Sequence, residues 1–165
     1  MAKQPIIRHA VPRDFLQVWG VYLMAGEELG HGNQEKAMTH VSKELTEFFV
    51  AEVDGHILSQ RQISYRHPIR YAGDDGKVVT MFAPWMHNAY TLPEYRRQGL
   101  SSRIFEAIKE EANTLGHRML YVAAEGINTP SWWEHKGAER VGECRSCGAW
   151  PMQCNQVPMY RVNVR

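Results

Sequence analysis

Apolar positions along the chain recur with two periods, one typical of helices and one typical of strands. Residues 6–11 predict a first strand. The apolar stripe that follows, at the spacing of one helix face, is Phe15, Val18, Trp19, Tyr22 and Leu23. After a glycine-rich break, residues 34–47 predict a second helix. We therefore expect the N-terminal part of the chain to be a strand followed by two helices.

A hairpin is predicted over residues 48–65, because the pair Asp54-Gly55 within it is a strong signal for a two-residue turn. Residues 66–71 are less regular and are interpreted as a strand end or a small insertion before another turn. The next apolar run contains a proline, which cannot donate to a strand ladder. We therefore expect the strand after it to begin near Trp85 or Met86.

The second half of the chain predicts one strongly amphipathic helix, which begins at Leu100 and ends at Gly116. Residues 118–125 predict a strand buried on both faces and parallel to the strand before the helix. The remaining elements are a short helix and two strands, near residues 130–137, 138–144 and 157–164. The order βααβββαβαββ predicts one α/β domain over residues 1–165, with a mixed sheet and helices on both faces.

Composition excludes several functional classes. The chain has 165 residues, 44% hydrophobic and 22% charged, as expected for one soluble globular domain. A net charge of +1 gives no global attraction to nucleic acid, which is not expected as a partner. No apolar run approaches the roughly 20 residues that span a bilayer, and no signal peptide is recognisable. Three cysteines, an odd number, favour a reduced, cytoplasmic setting.

One short stretch, residues 94–108, combines cations, a glycine and the start of a helix. The first turn of a helix has unsatisfied backbone N–H groups and partial positive charge, so it binds phosphate well. Gly99 allows close approach of a ligand, and Arg96 and Arg97 can add charge-assisted contacts. The sequence has neither GxxxxGK[ST] nor a GxGxxG after its first strand. The stretch predicts a pyrophosphate site, and the alternative is a surface turn with solvated arginines.

Residues 88–138 resemble the acyl-CoA-binding core of the GNAT superfamily of N-acyltransferases. That family has a strand, a Pro-Glu-Tyr-Arg-like turn and then Arg/Gln-x-x-Gly-x-Gly/Ala opening a helix, a pattern that residues 93–102 follow. Ser101 stands where the family usually has glycine or alanine. The resemblance implies a central, mostly antiparallel sheet with one splayed pair of parallel strands. It also implies acetyl-CoA as the cosubstrate.

The resemblance further implies which residues bind CoA. The backbone amides that would hold the pyrophosphate belong to Arg97, Gln98, Gly99, Leu100, Ser101 and Ser102. The strand before them would carry a bulge and pair with the pantetheine amides through Tyr90, Thr91 and Leu92. It would splay from residues 120–124, and the thioester would lie in the V between the two strands.

Acyl transfer to an amine needs a base for the ammonium, a donor for the tetrahedral oxyanion and a proton for the leaving thiolate. The family commonly supplies the donor from a strand N–H, here within residues 90–92. Glu125 and His87 are the candidate bases, because they stand near the ends of the two strands. Each has a solvated surface role as its alternative.

The general acid is where the sequence departs from the family, which often has a tyrosine just before a Glu-Lys-x-Gly-Phe stretch. Trp133 stands at that position, and indole N–H supplies no proton. We expect Trp133 to pack against pantetheine or to line the acceptor pocket. The substitute acids are Tyr160, Tyr121 and His135. Alternatively, the thiolate leaves unassisted or through water.

The cysteines suggest a weaker alternative, a zinc site. Cys144, Cys147 and Cys154 could supply three thiolates, with His135 or His117 as the fourth ligand. A single CxxC pair is weak evidence, so ordinary thiols in a turn are favoured and no metal is expected. The chain's many tryptophans and methionines are interpreted as core packing or as the wall of an acceptor pocket.

The sequence therefore predicts a cytoplasmic N-acetyltransferase that moves an acetyl group from acetyl-CoA to a primary amine by direct attack in a ternary complex. The acceptor is left open among a small amine or amino acid, an antibiotic, and a protein N-terminus or lysine. An aminoacyl-tRNA is the acceptor least expected at this net charge. The alternatives are a catalytically weak or inactive CoA-binding sensor and a small zinc-stabilised module. A homodimer is compatible with each.

Overall fold

The computed structural model describes residues 4–28, 34–124, 129–144 and 157–165. The chain folds as two compact units. The first comprises Met1–Ile63 and Asn88–Ile108, and the second comprises Ser64–His87 and Lys109–Arg165. Two strands and one long helix contribute residues to both units, and one of these strands and the helix belong to the stretch that resembles a CoA-binding core.

The first unit has a strand, two helices and a hairpin in that order. Its elements are β1 (Ile6–His9), α1 (Phe15–Glu28), α2 (Gln34–Glu44), β2 (Phe48–Val53) and β3 (His56–Ser64). It also holds the last residues of β6 (Trp85–Thr91) and the start of α3 (Leu100–Thr114). The strand order is β1-β2-β3-β6, and the β1–β2 and β2–β3 pairs are antiparallel.

The predicted hairpin is confirmed. Asp54 and Gly55 have φ values of 53° and 81°, as a two-residue turn between twisted strands requires. The helical stripe predicted for α1 is also confirmed, since Val18 and Tyr22 are buried and the other members, Phe15, Trp19 and Leu23, are partly buried. Val18 and Tyr22 belong to an apolar cluster with residues of α2, β2 and β3, and Tyr90 and Leu92 pack against this cluster. Burial of one apolar helix face thus fixes α1 against the strands.

The second unit contains the remaining elements. These are β4 (Ile69–Ala72), β5 (Val78–Met81), β7 (Met119–Ala123), α4 (Thr129–His135), β8 (Glu139–Cys144) and β9 (Val157–Asn163). Its strand order is β6-β7-β9-β8-β4-β5. The β6–β7 pair is parallel and the other registered pairs are antiparallel. The predicted mixed fold, mostly antiparallel with one parallel pair, is therefore confirmed.

The observed order, βααβββββαβαββ, has two strands more than predicted. Strands β4 and β5 form a hairpin across the turn predicted at residues 72–77, where Gly76 has a φ of 75°. Both strands are only four residues long, and Val78 and Val79 are exposed. The usual alternation of buried and exposed positions is therefore missing in β5, which is why the sequence pattern gave no strand there.

The end of α3 is as predicted. Gly116 has a φ of 83° and its N–H donates to the Asn113 carbonyl, while the N–H of His117 donates to the Ala112 carbonyl. These bonds satisfy carbonyls in the last turn of the helix. In the described part of the chain, no helix combines the length and the apolar character needed to cross a membrane.

Cys144 differs from the prediction of an ordinary thiol. It is fully buried at the end of β8 and is disulfide-bonded. A disulfide sulfur is not a thiolate, so Cys144 in this state is not a zinc ligand. Cys147 and Cys154 lie outside the described residues.

Candidate functional site

The phosphate turn (residues 96–102) connects β6 to α3 through backbone conformations that only a few residue types tolerate. Pro93–Tyr95 forms a single 3-10 turn, after which Arg96 is extended. Arg97 and Gly99 then lie in the left-handed region, with φ values of 64° and 77°. Glycine adopts this region without strain, whereas arginine does so at a cost, so the turn is held in a strained shape.

The start of α3 presents backbone donors at the phosphate turn. The N–H of Arg103 donates to the Gly99 carbonyl at 3.0 Å, which closes the first turn of the helix. The amides of Leu100, Ser101 and Ser102 precede that bond, so they have no partner within the helix. Together with the positive end of the helix dipole, they form the anion-binding geometry that the sequence predicts.

The phosphate turn faces open space. A Cβ atom added to Gly99 would meet no protein atom within 4 Å, and Arg96, Arg97 and Gln98 are exposed. The Arg96 guanidinium lies 5.2 Å from the Tyr90 ring centroid, and its Nε donates to the Thr91 carbonyl at 3.1 Å. Protein atoms therefore leave open space next to Gly99.

Strand β6 is irregular at its centre. Trp85 and Met86 pair in parallel with Tyr121 and Val122 of β7, and these are the only two registered pairs between the described residues of the two strands. Asn88 follows with a φ of 50°, a left-handed conformation that asparagine tolerates better than most residues. A residue of this kind inside a strand marks a bulge.

The second half of β6, which the sequence assigned to pantetheine, is tied to β3. Ser59, 1% exposed, donates to the Tyr90 carbonyl at 3.2 Å and lies 2.7 Å from the Thr91 hydroxyl. The Leu92 N–H donates to the Leu58 carbonyl at 3.0 Å. Hydrogen bonds to β3 thus hold all three of these residues in place. Their pairing with pantetheine stays a prediction.

His87 lies in the second unit and is buried. Its ring stacks on Trp85 with a centroid distance of 4.0 Å and an interplanar angle of 14°. The side chain is 6% exposed, so the solvated surface role that the sequence left open does not describe it. Glu125, the other candidate base, lies outside the described residues.

Tyr160 lies on β9, and its side chain is 1% exposed. Its hydroxyl donates to Glu134 Oε1 of α4 at 3.2 Å. Burial, with the hydrogen bond to the Glu134 carboxylate second, raises the pKa of Tyr160 above its ordinary value. The phenol is therefore protonated throughout the neutral range, which a general acid requires.

Trp133 is packed inside the second unit. It is 1% exposed, and its ring meets Trp132 edge to face at a centroid distance of 4.5 Å. This environment is that of a core side chain. A contact between Trp133 and pantetheine stays a prediction.

His87 and Tyr160 lie on opposite faces of their strands. Val122 pairs with Met86 on one side and with Tyr160 on the other, so these side chains share a face. His87 stacks on Trp85, one position before Met86, and thus belongs to the other face. The fold does not bring His87 and Tyr160 together on one face.

Sequence reasoning missed two residues of this region, Arg61 and Asn88. Arg61 lies on β3 with 4% exposure, and its Nη2 donates to Ser101 Oγ at 2.9 Å. The sequence did contain a signal for Arg61, because all four residues at positions 59–62 are polar. An ordinary half-buried strand alternates polar and apolar residues instead. Asn88 gave no signal, because a left-handed residue inside a strand leaves no pattern of hydrophobicity.

Comparison with curated proteins gave no match. Among solved structures, a GNAT family acetyltransferase from Brucella melitensis in complex with acetyl-CoA has a TM-score of 0.62 and 19% identity, over 94% of each chain. An acetyltransferase of the GNAT family from Staphylococcus aureus Mu50 has a TM-score of 0.67 and 9% identity, over 98% of this chain and 99% of that one. At such low identity, the likeness is one of fold.

A third solved structure is longer than this chain. N-acetylglutamate synthase from Neisseria gonorrhoeae, complexed with coenzyme A and N-acetyl-glutamate, has a TM-score of 0.70 and 16% identity. The match covers 100% of this chain but 36% of the synthase. The family model for the acetyltransferase (GNAT) family matches residues 19–136, which include β6, the phosphate turn and α3. The chain belongs to the acetyltransferase (GNAT) family.

Proposed function

We propose that the protein is an N-acetyltransferase that moves the acetyl group of acetyl-CoA to a primary amine by direct attack in a ternary complex. The observation that carries this proposal is the phosphate turn. Its left-handed Arg97 and Gly99 aim the first amides of α3 at open space, where a pyrophosphate oxygen would accept their hydrogen bonds. The bound ligands of two solved relatives support the choice of cosubstrate, since one holds acetyl-CoA and another coenzyme A.

The amine acceptor is a small molecule or a peptide. N-acetyl-glutamate, bound in the gonococcal synthase, is an acetylated amine and supports this class. The net charge of +1 does not favour a nucleic-acid acceptor. A cytoplasmic setting and a homodimer stay predictions.

The catalytic roles follow from chemistry and from the faces of the strands. His87 or Glu125 removes the proton of the amine, and Tyr160 donates a proton to the sulfur. These two transfers act on different atoms, on either side of the thioester carbon. Because both atoms are bonded to the same carbon, the acid and the base must converge on it, so His87 and Tyr160, on opposite faces of their strands, are alternatives and not a pair.

The experiment that tests the proposal is a calorimetric titration of the purified protein with acetyl-CoA, CoA and ATP. We expect micromolar binding of acetyl-CoA and CoA and no binding of ATP. Absence of acetyl-CoA binding would reduce the phosphate turn to a surface turn and overturn the enzyme assignment. Release of free thiol from acetyl-CoA with mixtures of amines then separates an enzyme from a CoA-binding sensor, which would bind without turnover.

A further inference from the structure

Arg61 is a buried charge directly behind the phosphate turn. It lies on β3 with 4% of its surface exposed, and its guanidinium Nη2 donates to Ser101 Oγ at 2.9 Å. Ser101 occupies the first turn of α3 and is partly exposed. The contact therefore links a cation in the core of the first unit to a side chain at the candidate anion site.

Arg61 keeps a positive charge in a buried position. Burial lowers the pKa of Arg61 to about 10, so the guanidinium is still charged at neutral pH. Its hydrogen-bond partner lies at the N-terminus of α3, where the helix dipole is also positive. The Arg61 guanidinium and the positive N-terminus of α3 thus meet at Ser101. A phosphate bound there would be attracted to both.

The hydrogen bond also sets the role of the Ser101 hydroxyl. Its oxygen accepts from Arg61, so its own proton remains for donation to another group. A hydroxyl polarised by a guanidinium is a stronger donor than one in water. The GNAT family usually has glycine or alanine at this position, and neither residue could make this contact.

We propose that Arg61 and Ser101 form a buried extension of the pyrophosphate site, in which Arg61 orients the Ser101 hydroxyl as a donor to the CoA pyrophosphate and adds positive charge behind it. The inference rests on the proposed CoA binding and names two residues that increase the affinity for CoA. Arg61 is a positioning residue, since it acts through Ser101. The ligand chemistry that this pair recognises is the pyrophosphate, and not the pantetheine arm.

The test uses calorimetry on Arg61→Met and Ser101→Ala with acetyl-CoA and with acetyl-pantetheine, which lacks the pyrophosphate. Loss of a charge-assisted hydrogen bond predicts about ten- to hundredfold weaker acetyl-CoA binding by Arg61→Met. Loss of the hydroxyl predicts about three- to tenfold weaker binding by Ser101→Ala. Neither variant should change binding of acetyl-pantetheine. The double variant should bind no worse than Arg61→Met, because the two side chains act as one unit.

The matched control is Arg103→Met. Arg103 is exposed on the same turn of α3 and donates to Gln4 at 2.9 Å, so its replacement removes one positive charge without touching Ser101. We expect its acetyl-CoA affinity to equal that of the wild type at physiological salt, where exposed charges are screened. Arg61→Lys keeps the charge and should recover part of the lost affinity.

The outcomes separate the two proposals. A wild type that binds no acetyl-CoA removes the proposed function and this inference with it. A wild type that binds, together with Ser101→Ala of equal affinity, overturns the inference alone, and this arm also decides the case if Arg61→Met does not fold. Equal losses for acetyl-CoA and acetyl-pantetheine would assign Arg61 a structural role and would likewise overturn it.

Discussion

Gly99 is the residue on which the phosphate turn depends, since its φ of 77° disfavours every side chain. We expect Gly99→Asp to abolish acetyl-CoA binding, because it places a carboxylate beside the pyrophosphate. Gly116→Asp is the matched control. Gly116 has a φ of 83°, also has open space around it and ends the same helix. It should lose stability but keep its acetyl-CoA affinity in a calorimetric titration, and unchanged affinity in Gly99→Asp would contradict the site.

The role of Tyr160 as a proton donor can be tested with Tyr65 as a control, because both hydroxyls donate to a glutamate carboxylate. We expect Tyr160→Phe to lower kcat by about a hundredfold or more if its proton reaches the sulfur, with unchanged affinity for acetyl-CoA. Tyr65→Phe is the control, since Tyr65 donates to Glu111 at 2.9 Å as Tyr160 does to Glu134. It should leave kcat unchanged. Because the pKa of Tyr160 is raised, any loss of kcat from its deprotonation should begin at a higher pH than for an ordinary tyrosine.

At the scale of elements, one arginine of strand β1 forms ion pairs with the two neighbouring elements. Arg8 on β1 pairs with Asp14, in the 3-10 turn after it, and with Glu52 on β2. The Asp14 carboxylate also accepts from the Val11 N–H at 2.8 Å. The Arg8 hydrogen bond, with the Val11 bond behind it, lowers the pKa of Asp14 below 3.8. The charged carboxylate thus stabilises the folded state.

Asp14→Asn should therefore lower the free energy of unfolding at pH 7 by about 2 kcal/mol, because it leaves the Arg8 charge partly buried and less well paired. A depressed pKa gives stability that is fully present above the unfolded value of 3.8 and is lost as the pH falls through the folded value. The difference between wild type and variant in urea unfolding should thus shrink below about pH 4. Asp75→Asn, an exposed control, should have a smaller effect. Equal effects of the two variants would show that the Arg8–Asp14 ion pair does not stabilise the fold.

The elements differ in how well the sequence predicts them, for physical reasons. The hairpin at Asp54-Gly55 and helix α3 follow from local signals, a turn dipeptide and a 3.6-residue period. Strand β5 does not, because its exposed side chains remove the alternation that reveals a strand. The turn into α3 was predictable because Gly99 is a local signal, and its binding of phosphate stays a prediction. The Arg61–Ser101 bond was not, since it joins side chains 40 positions apart.

At the scale of the whole molecule, ligand binding should raise the temperature of unfolding. A ligand at a hundred times its Kd stabilises the folded state by about 2.7 kcal/mol. For a chain of this length, that corresponds to a rise in Tm of roughly 5–10 °C. We expect acetyl-CoA and CoA to give this rise in differential scanning fluorimetry and ATP to give none. A Tm that does not move at saturating acetyl-CoA would contradict binding to the folded state.

Strand β5 leaves apolar side chains exposed at one end of the sheet order of its unit. Among the described strands it is the last in the sheet order of its unit, and Val78, Val79 and Phe82 are 51%, 36% and 75% exposed. A strand with unpaired backbone groups and apolar side chains attracts other chains. Sulfate strengthens such contacts, so we expect ammonium sulfate to promote association between copies of this chain through β5.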